Sequence, residues 1–202
     1  MSFRYPNGTL YHSVPNLKKK QTPKKSGFGK RGMSFEEEIN QSNEYYLARG
    51  LAVIHKKPTP VQIVKVDYPQ RSMAKITEAY FKTASTTDYN GVYQGKYIDF
   101  EAKETKNKTS FPFKNFHAHQ ITHMEQVLAQ NGFCFVLLSF SSLSRIFLYP
   151  AEYLIHRYRK QEERKSIKLV DIENEGIEII PAISPRIPYL QAIDEYFKNH
   201  EK

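Results

Sequence analysis

A mixed α/β fold, with a central sheet flanked by helices and a basic excursion protruding from it, is predicted by three features of this 202-residue chain. Period-two segments such as Tyr97-Ile98-Asp99-Phe100-Glu101-Ala102-Lys103 alternate along the chain with segments of helical spacing. The run Phe133–Phe140 is nearly all apolar, as a buried strand should be. Lys56–Lys82, broken by prolines and rich in cations, does not fit the compact pattern around it. The 40% hydrophobic content is enough for a core, and the length suits one compact domain with attachments.

Ser34 is placed to cap the first helix, and Glu37 three residues on completes a capping box. Phe35, Ile39 and Tyr46 give that helix a partial apolar stripe, and Gly50 ends it near residue 49. Leu51–His55 reads as a strand. Lys56-Lys57-Pro58-Thr59-Pro60 then opens the excursion, where Val61–Val66 is strand-like. Lys56, Lys57, Lys65, Arg71, Lys75 and Lys82 there outweigh Asp67 and Glu78, and Tyr68, Tyr80 and Phe81 lie among them. Aromatic rings among cations suit base stacking, although any one ring also suits ordinary packing.

The chemistry concentrates between Thr86 and Lys103. Gln94-Gly95 offers a two-residue hairpin turn that pairs Val92 with Tyr97, Asn90 with Asp99, Asp88 with Glu101, and Thr86 with Lys103. Directly opposed Cβ atoms lie about 4.5–5.5 Å apart. Asp88 and Glu101 would then converge, which is unfavourable for two bare carboxylates and suited to a shared Mg²⁺. Lys103 on the same face can orient an attacking water or offset charge growing on a phosphate, as a divalent-metal nuclease requires. Asn90-Gly91 is a competing turn that would part the two acids; the later turn is preferred because both strands then share a polar face. The bland alternative is a solvated strand face with an incidental Glu-Lys pair, since short strings of this kind are common.

Phe113–Asn131 is expected to form one helix, with Gln120 a turn from both Phe116 and Met124, bordering the core and looking toward the sheet. His119 and His123 have the spacing of a zinc pair with His117 nearby, but no Cys or His cluster completes a zinc site. Ser144–Tyr149 should pair antiparallel with Phe133–Phe140. Helices are expected over Ala151–Gln161 and Pro188–Phe197, and a short strand over Ile177–Ile180. The sequence contains no internal repeat, glycine-rich phosphate loop or helix-turn-helix pattern.

Charge is unevenly placed. The formal net charge is +9, yet residues 1–35 hold eight basic residues and no acid. Residues 1–30 therefore read as a basic, disordered arm suited to a polyanion, with the folded domain over 31–202. Cys134 is the lone cysteine and sits in an apolar run, so it reads as a buried structural thiol in a reducing, cytoplasmic setting. No apolar run approaches the ~20 residues that span a bilayer, and the N-terminus shows no signal-peptide pattern. Neither a membrane nor a small-molecule cofactor is expected.

The order helix, strand, Asp-bearing strand, ExK-bearing strand, helix resembles the PD-(D/E)xK nuclease superfamily, whose fold is restriction-endonuclease-like. More narrowly, Arg4–Gly8, Arg31–Met33, His55–Ile63, Thr86–Gly91, Phe100–Thr105 and Phe116–Gln120 resemble the RecU family of Holliday junction resolvases. That resemblance covers nearly the whole chain; residues 16–30 and 160–185 match less well. It implies a Mg²⁺-dependent homodimer, Mn²⁺ being able to substitute, that nicks opposed strands of four-way junction DNA during recombination and repair at the nucleoid. It implies metal-site roles for Thr86, Asp88, Glu101 and Gln120, with Lys103 stabilising the transition state. Glu37 matches a first-helix glutamate that joins such sites, in competition with its capping role, and Arg31 adjoins that helix near the scissile phosphate. Lys56–Lys82 corresponds to a stalk entering the junction centre. Within it Arg71 matches a position tied to RecA and Phe81 one tied to junction recognition, with Lys56 and Lys57 as further contacts. A general DNA endonuclease and a non-catalytic DNA- or RecA-binding module are the alternatives.

Overall fold

The computed structural model describes residues 33–69, 74–82, 85–160 and 164–200. The basic arm, Arg31 and Arg71 lie outside the described residues. The expected mixed sheet flanked by helices is present. Six strands form it: β1 (Ala52–Lys56), β4 (Tyr89–Tyr93), β5 (Lys96–Thr105), β7 (Phe133–Phe140), β8 (Arg145–Pro150) and β10 (Ile177–Ile179). Their order is β1-β4-β5-β7-β8-β10. The β5/β7 pair is parallel, and the others are antiparallel. A parallel pair needs a crossover, supplied here by α2 (Ala118–Ala129) between the two strands.

Each face of the sheet has its own core. Ile98, Phe100 and Ala102 of β5 pack with Phe35, Ile39 and Tyr46 of α1 (Phe35–Ala48) and with Tyr189 and Ile193 of α5 (Tyr189–His200). Val136 and Leu138 of β7 turn to the other face, against Ile121 and Met124 of α2 and Leu154 of α3 (Ala151–Arg159). The β5 residues on that second face are the polar ones, so α2 and the site residues share one side of the sheet.

The excursion is a hairpin of β2 (Val61–Asp67) and β3 (Lys75–Phe81), forming a separate two-stranded sheet. All of β3 and all but Val66 of β2 are exposed. Phe81 is 83% exposed.

The single helix expected over Phe113–Asn131 is divided. Phe113–Asn115 is a 3₁₀ turn, and Phe116 and His117 are extended before α2 begins. Phe116 is buried against Phe111, which holds the chain straight there, and Gln120 accepts from the His117 backbone N–H at 3.0 Å to start the helix anew. A small sheet of β6 (Ser110–Pro112) with β9 (Ser166–Lys168), followed by helix α4 (Leu169–Glu175), was not anticipated. No described helix is long and apolar enough to cross a membrane.

Candidate active site

The predicted hairpin register is observed: Val92 opposes Tyr97 and Asn90 opposes Asp99. Gln94 and Gly95 both take positive φ at the turn, as a tight two-residue loop requires. Asn90-Gly91 is therefore not a turn. Gly91 is instead where β1 comes closest, since a Cβ there would sit 2.0 Å from the Val53 carbonyl oxygen.

The ladder stops at Tyr89–Phe100, one step short of the acid pair. There a side chain replaces the strand partner: the Asp88 backbone N–H donates to Glu101 Oε2 at 3.0 Å. Lys103 Nζ lies 2.7 Å from Glu101 Oε1. The Glu101 side chain has 0% exposure, against 20% for Lys103. The polar face is thus buried, not a solvated strand face. Burial first, then Asp88, raises the Glu101 pKa to about 8, and Lys103 offsets only part of that. Besides the Lys103 ammonium, no described donor reaches Glu101 Oε1.

A buried carboxylate with one partner on each oxygen keeps lone pairs that a hard cation could take. Among the described residues no three His, Cys, Asp or Glu side chains cluster for a metal. Gln120 is buried, and its Oε1 accepts from the His117 backbone N–H in the capping box that starts α2, which leaves that oxygen a second lone pair. The half-buried Thr86 donates its hydroxyl to the Thr87 carbonyl at 3.2 Å, so its oxygen can still accept. Two carboxylates with amide, hydroxyl and water oxygens suit Mg²⁺ or Mn²⁺ better than zinc. Burial first, then His117 and the Lys103 charge, lowers the His119 pKa, so the first turn of α2 lies within electrostatic reach of Lys103.

Glu37 serves as the cap: its Oε2 accepts from the Ser34 backbone at 3.2 Å, and its own N–H donates to Ser34 Oγ at 3.2 Å. The first-helix acid beside the site is its neighbour Glu36. It pairs with Lys56 at 2.5 Å and lines a cleft of ≈ 470 Å³ with Lys57, Lys82, Thr86 and Asp88. Glu36, Asp88 and Glu101 all act, after burial, to raise the Tyr89 pKa. The sequence signal for Glu36 was available, since residues 36 and 37 sit side by side in the same turn and only one can cap.

Sequence reasoning also missed Asp99, which is fully buried and hydrogen-bonded to Lys57, Thr87, Tyr97 and His123. Burial raises its pKa, but Lys57 and Thr87 more than offset that and hold it below the usual value. Lys57, expected as a DNA or RecA contact, thus points its ammonium inward. Phe81 lies on the exposed hairpin as expected.

The family model for RecU, recombination protein U, matches residues 30–195 of the chain. The Holliday junction resolvase RecU of Lactiplantibacillus plantarum is 61% identical over 197 residues, covering 96% of this chain and 95% of that protein. The RecU of Leuconostoc citreum is 57% identical over 203 residues, covering 98% and 99%. That of Geobacillus sp. is 55% identical over 202 residues, covering 99% and 100%. Among solved structures, Hjc, a Holliday junction resolvase from Archaeoglobus fulgidus, matches over 69% of this chain and 94% of that one. Its TM-score of 0.40 at 10% identity is too low to carry an argument.

Proposed function

The chain belongs to the RecU family, and from that membership we propose that it is an endonuclease resolving four-way Holliday junctions, a phosphodiester hydrolase of recombination and repair. The observation that carries the chemistry is the buried Glu101 carboxylate, one oxygen on the Asp88 backbone N–H and the other against the Lys103 ammonium.

Asp88 and Glu101, with Thr86 and Gln120, would hold Mg²⁺, or Mn²⁺ in its place. A cation bound there supplies Lewis-acid activation of the scissile phosphate and neutralises charge. Lys103, a fifth exposed beside Glu101, presents its ammonium to the phosphate and stabilises the charge that grows as the P–O bond breaks. Burial excludes bulk water from the Glu101 carboxylate and strengthens its interactions.

The wider assembly belongs to the same proposal. Residues 1–30 act as a basic DNA-binding arm on a nuclease domain over 31–202. The β2–β3 hairpin is the stalk, presenting Phe81 and the cations Lys65, Lys75 and Lys82 to the junction, with Lys56 at its foot, Arg71 as a RecA contact and Arg31 near the scissile phosphate. The chain works as a homodimer at the nucleoid, because paired symmetric nicks need two sites related by a two-fold axis.

The test is cleavage of a labelled synthetic four-way junction, with nicks mapped on all four strands in Mg²⁺ and in EDTA. Paired nicks on opposed strands should appear only with metal. Asp88→Asn should abolish them while junction affinity persists, since cations bound to phosphates supply most of the binding. Equal cutting of linear duplex would favour a general endonuclease, and near-normal turnover by Asp88→Asn would remove the metal assignment.

A further inference from the structure

Asp99 has no part in the mechanism above, yet it is the most heavily engaged acid near the site. Its Oδ2 accepts from Lys57 Nζ at 2.8 Å and from the Tyr97 hydroxyl at 2.9 Å, and lies 3.2 Å from His123 Nε2. Its Oδ1 accepts from the Thr87 hydroxyl. With four partners on its two oxygens, Asp99 has no capacity left for a cation, although it shares a strand face with Glu101, whose oxygens have one partner each.

Two of its partners lie where the hairpin joins the domain. Lys57 is on the outgoing side, just after β1, and Thr87 is on the returning side, just before Asp88. Lys57 Nζ also bonds the Thr87 hydroxyl at 3.0 Å, and the Lys57 backbone N–H donates to the Asp88 carbonyl at 2.7 Å. The returning segment is thus tied to the outgoing one around a single buried carboxylate. Asp88 follows in the chain, fixed on one side by Lys57 and on the other by Glu101.

We propose that Asp99 is a positioning residue: by clamping Lys57 and Thr87 it fixes the Asp88 backbone against Glu101 and so sets the geometry of the cation site. The clamp rests on the reading of Asp88 and Glu101 as cation ligands. It also explains why an inward-facing lysine lies at the foot of a hairpin whose described cations Lys65, Lys75 and Lys82 are exposed. Misplacing a reacting group by an ångström can cost about 100-fold in rate, so a clamp one bond removed from a ligand has a measurable effect.

The experiment measures Mn²⁺ binding to the full chain by electron paramagnetic resonance, without DNA, alongside junction cleavage as a function of Mn²⁺ concentration. Asp99→Asn keeps the size of the side chain and loses the charge that holds Lys57. It should weaken Mn²⁺ binding about 10-fold and raise by the same factor the Mn²⁺ needed for half-maximal cleavage, while junction affinity in EDTA is unchanged. Lys57→Met and Thr87→Val should show the same defect, and combining either with Asp99→Asn should add little, because coupled residues are non-additive. If Asp99→Asn does not fold, those two single variants carry the test. Wild-type Mn²⁺ binding in a folded Asp99→Asn, Lys57→Met or Thr87→Val protein, or full additivity, overturns the clamp alone. Failure of the wild-type chain to bind Mn²⁺ overturns the cation site and the clamp together.

Discussion

Free of metal, Glu101 titrates near pH 8 instead of its ordinary 4.5, because its carboxylate is shut away from water. The folded state therefore holds this proton more tightly than the unfolded chain does. Stability must fall as pH rises from 4.5 toward 8 and stay low above that. In EDTA, Glu101→Gln should thus be more stable than the wild type by ~1–3 kcal/mol above pH 8, the gap closing below pH 4.5. Thermal denaturation across that range checks this, and equal melting at pH 9 would count against the burial. Lys103→Ala should instead spare folding and lower the single-turnover cleavage rate by roughly 10²–10³, the cost of removing one preorganised charge. A collapsed melting transition would show a structural role. At this scale alternation placed Asp99, Glu101 and Lys103 on one face. It could not reveal that Lys57 and His123, 42 and 24 residues from Asp99, close over it.

Among the elements, those with long or strongly periodic patterns were legible, including the capped first helix, the β4–β5 hairpin with its register, and the β7–β8 pair. The misses have a common cause. The β6 and β9 strands have three residues each and α4 has seven, too few for either period to register. Phe113–Asn131 reads as one helix because its apolar spacing continues through Phe116, whereas packing of Phe116 on Phe111 straightens the chain there. Gly91 shows a local turn signal put to another use. Gly91→Ala would drive a Cβ into backbone, 2.0 Å from Val53 O and 2.7 Å from Ile54 Cα. The β1 and β4 strands would have to part, at a cost of about 2 kcal/mol or more, readable as a lower denaturant midpoint with an unchanged slope.

At the scale of the whole molecule, composition located the basic arm, and its deletion is a direct test of charge. Removing residues 1–30 takes away six lysines and Arg4. Junction affinity should fall, and the slope of log K against log salt should flatten by about 0.9 for each phosphate that the arm no longer neutralises; an unchanged slope would make the arm a solubilising tail. Composition also marked the excursion as separate from the core, though not that it would be a bare hairpin. Replacing Val61–Phe81 with a short Gly/Ser turn should leave the Lys57 and Thr87 hydrogen bonds and Mn²⁺ binding intact. It should also erase the preference for four-way over linear DNA; retained preference would place selectivity in the arm or in dimer geometry.

The near-total exposure of β2 and β3 has a consequence for time as well as for shape. Two strands with no third layer are marginally stable in water, so these amides belong at the low end of the protein's range of opening free energies, while those of β5 and β7 require global unfolding. In deuterated buffer the hairpin should label orders of magnitude sooner than the sheet. Any DNA partner that grips it must supply the ordering free energy itself, and would announce its grip as slowed exchange at Gln62–Val66 and Ile76–Tyr80.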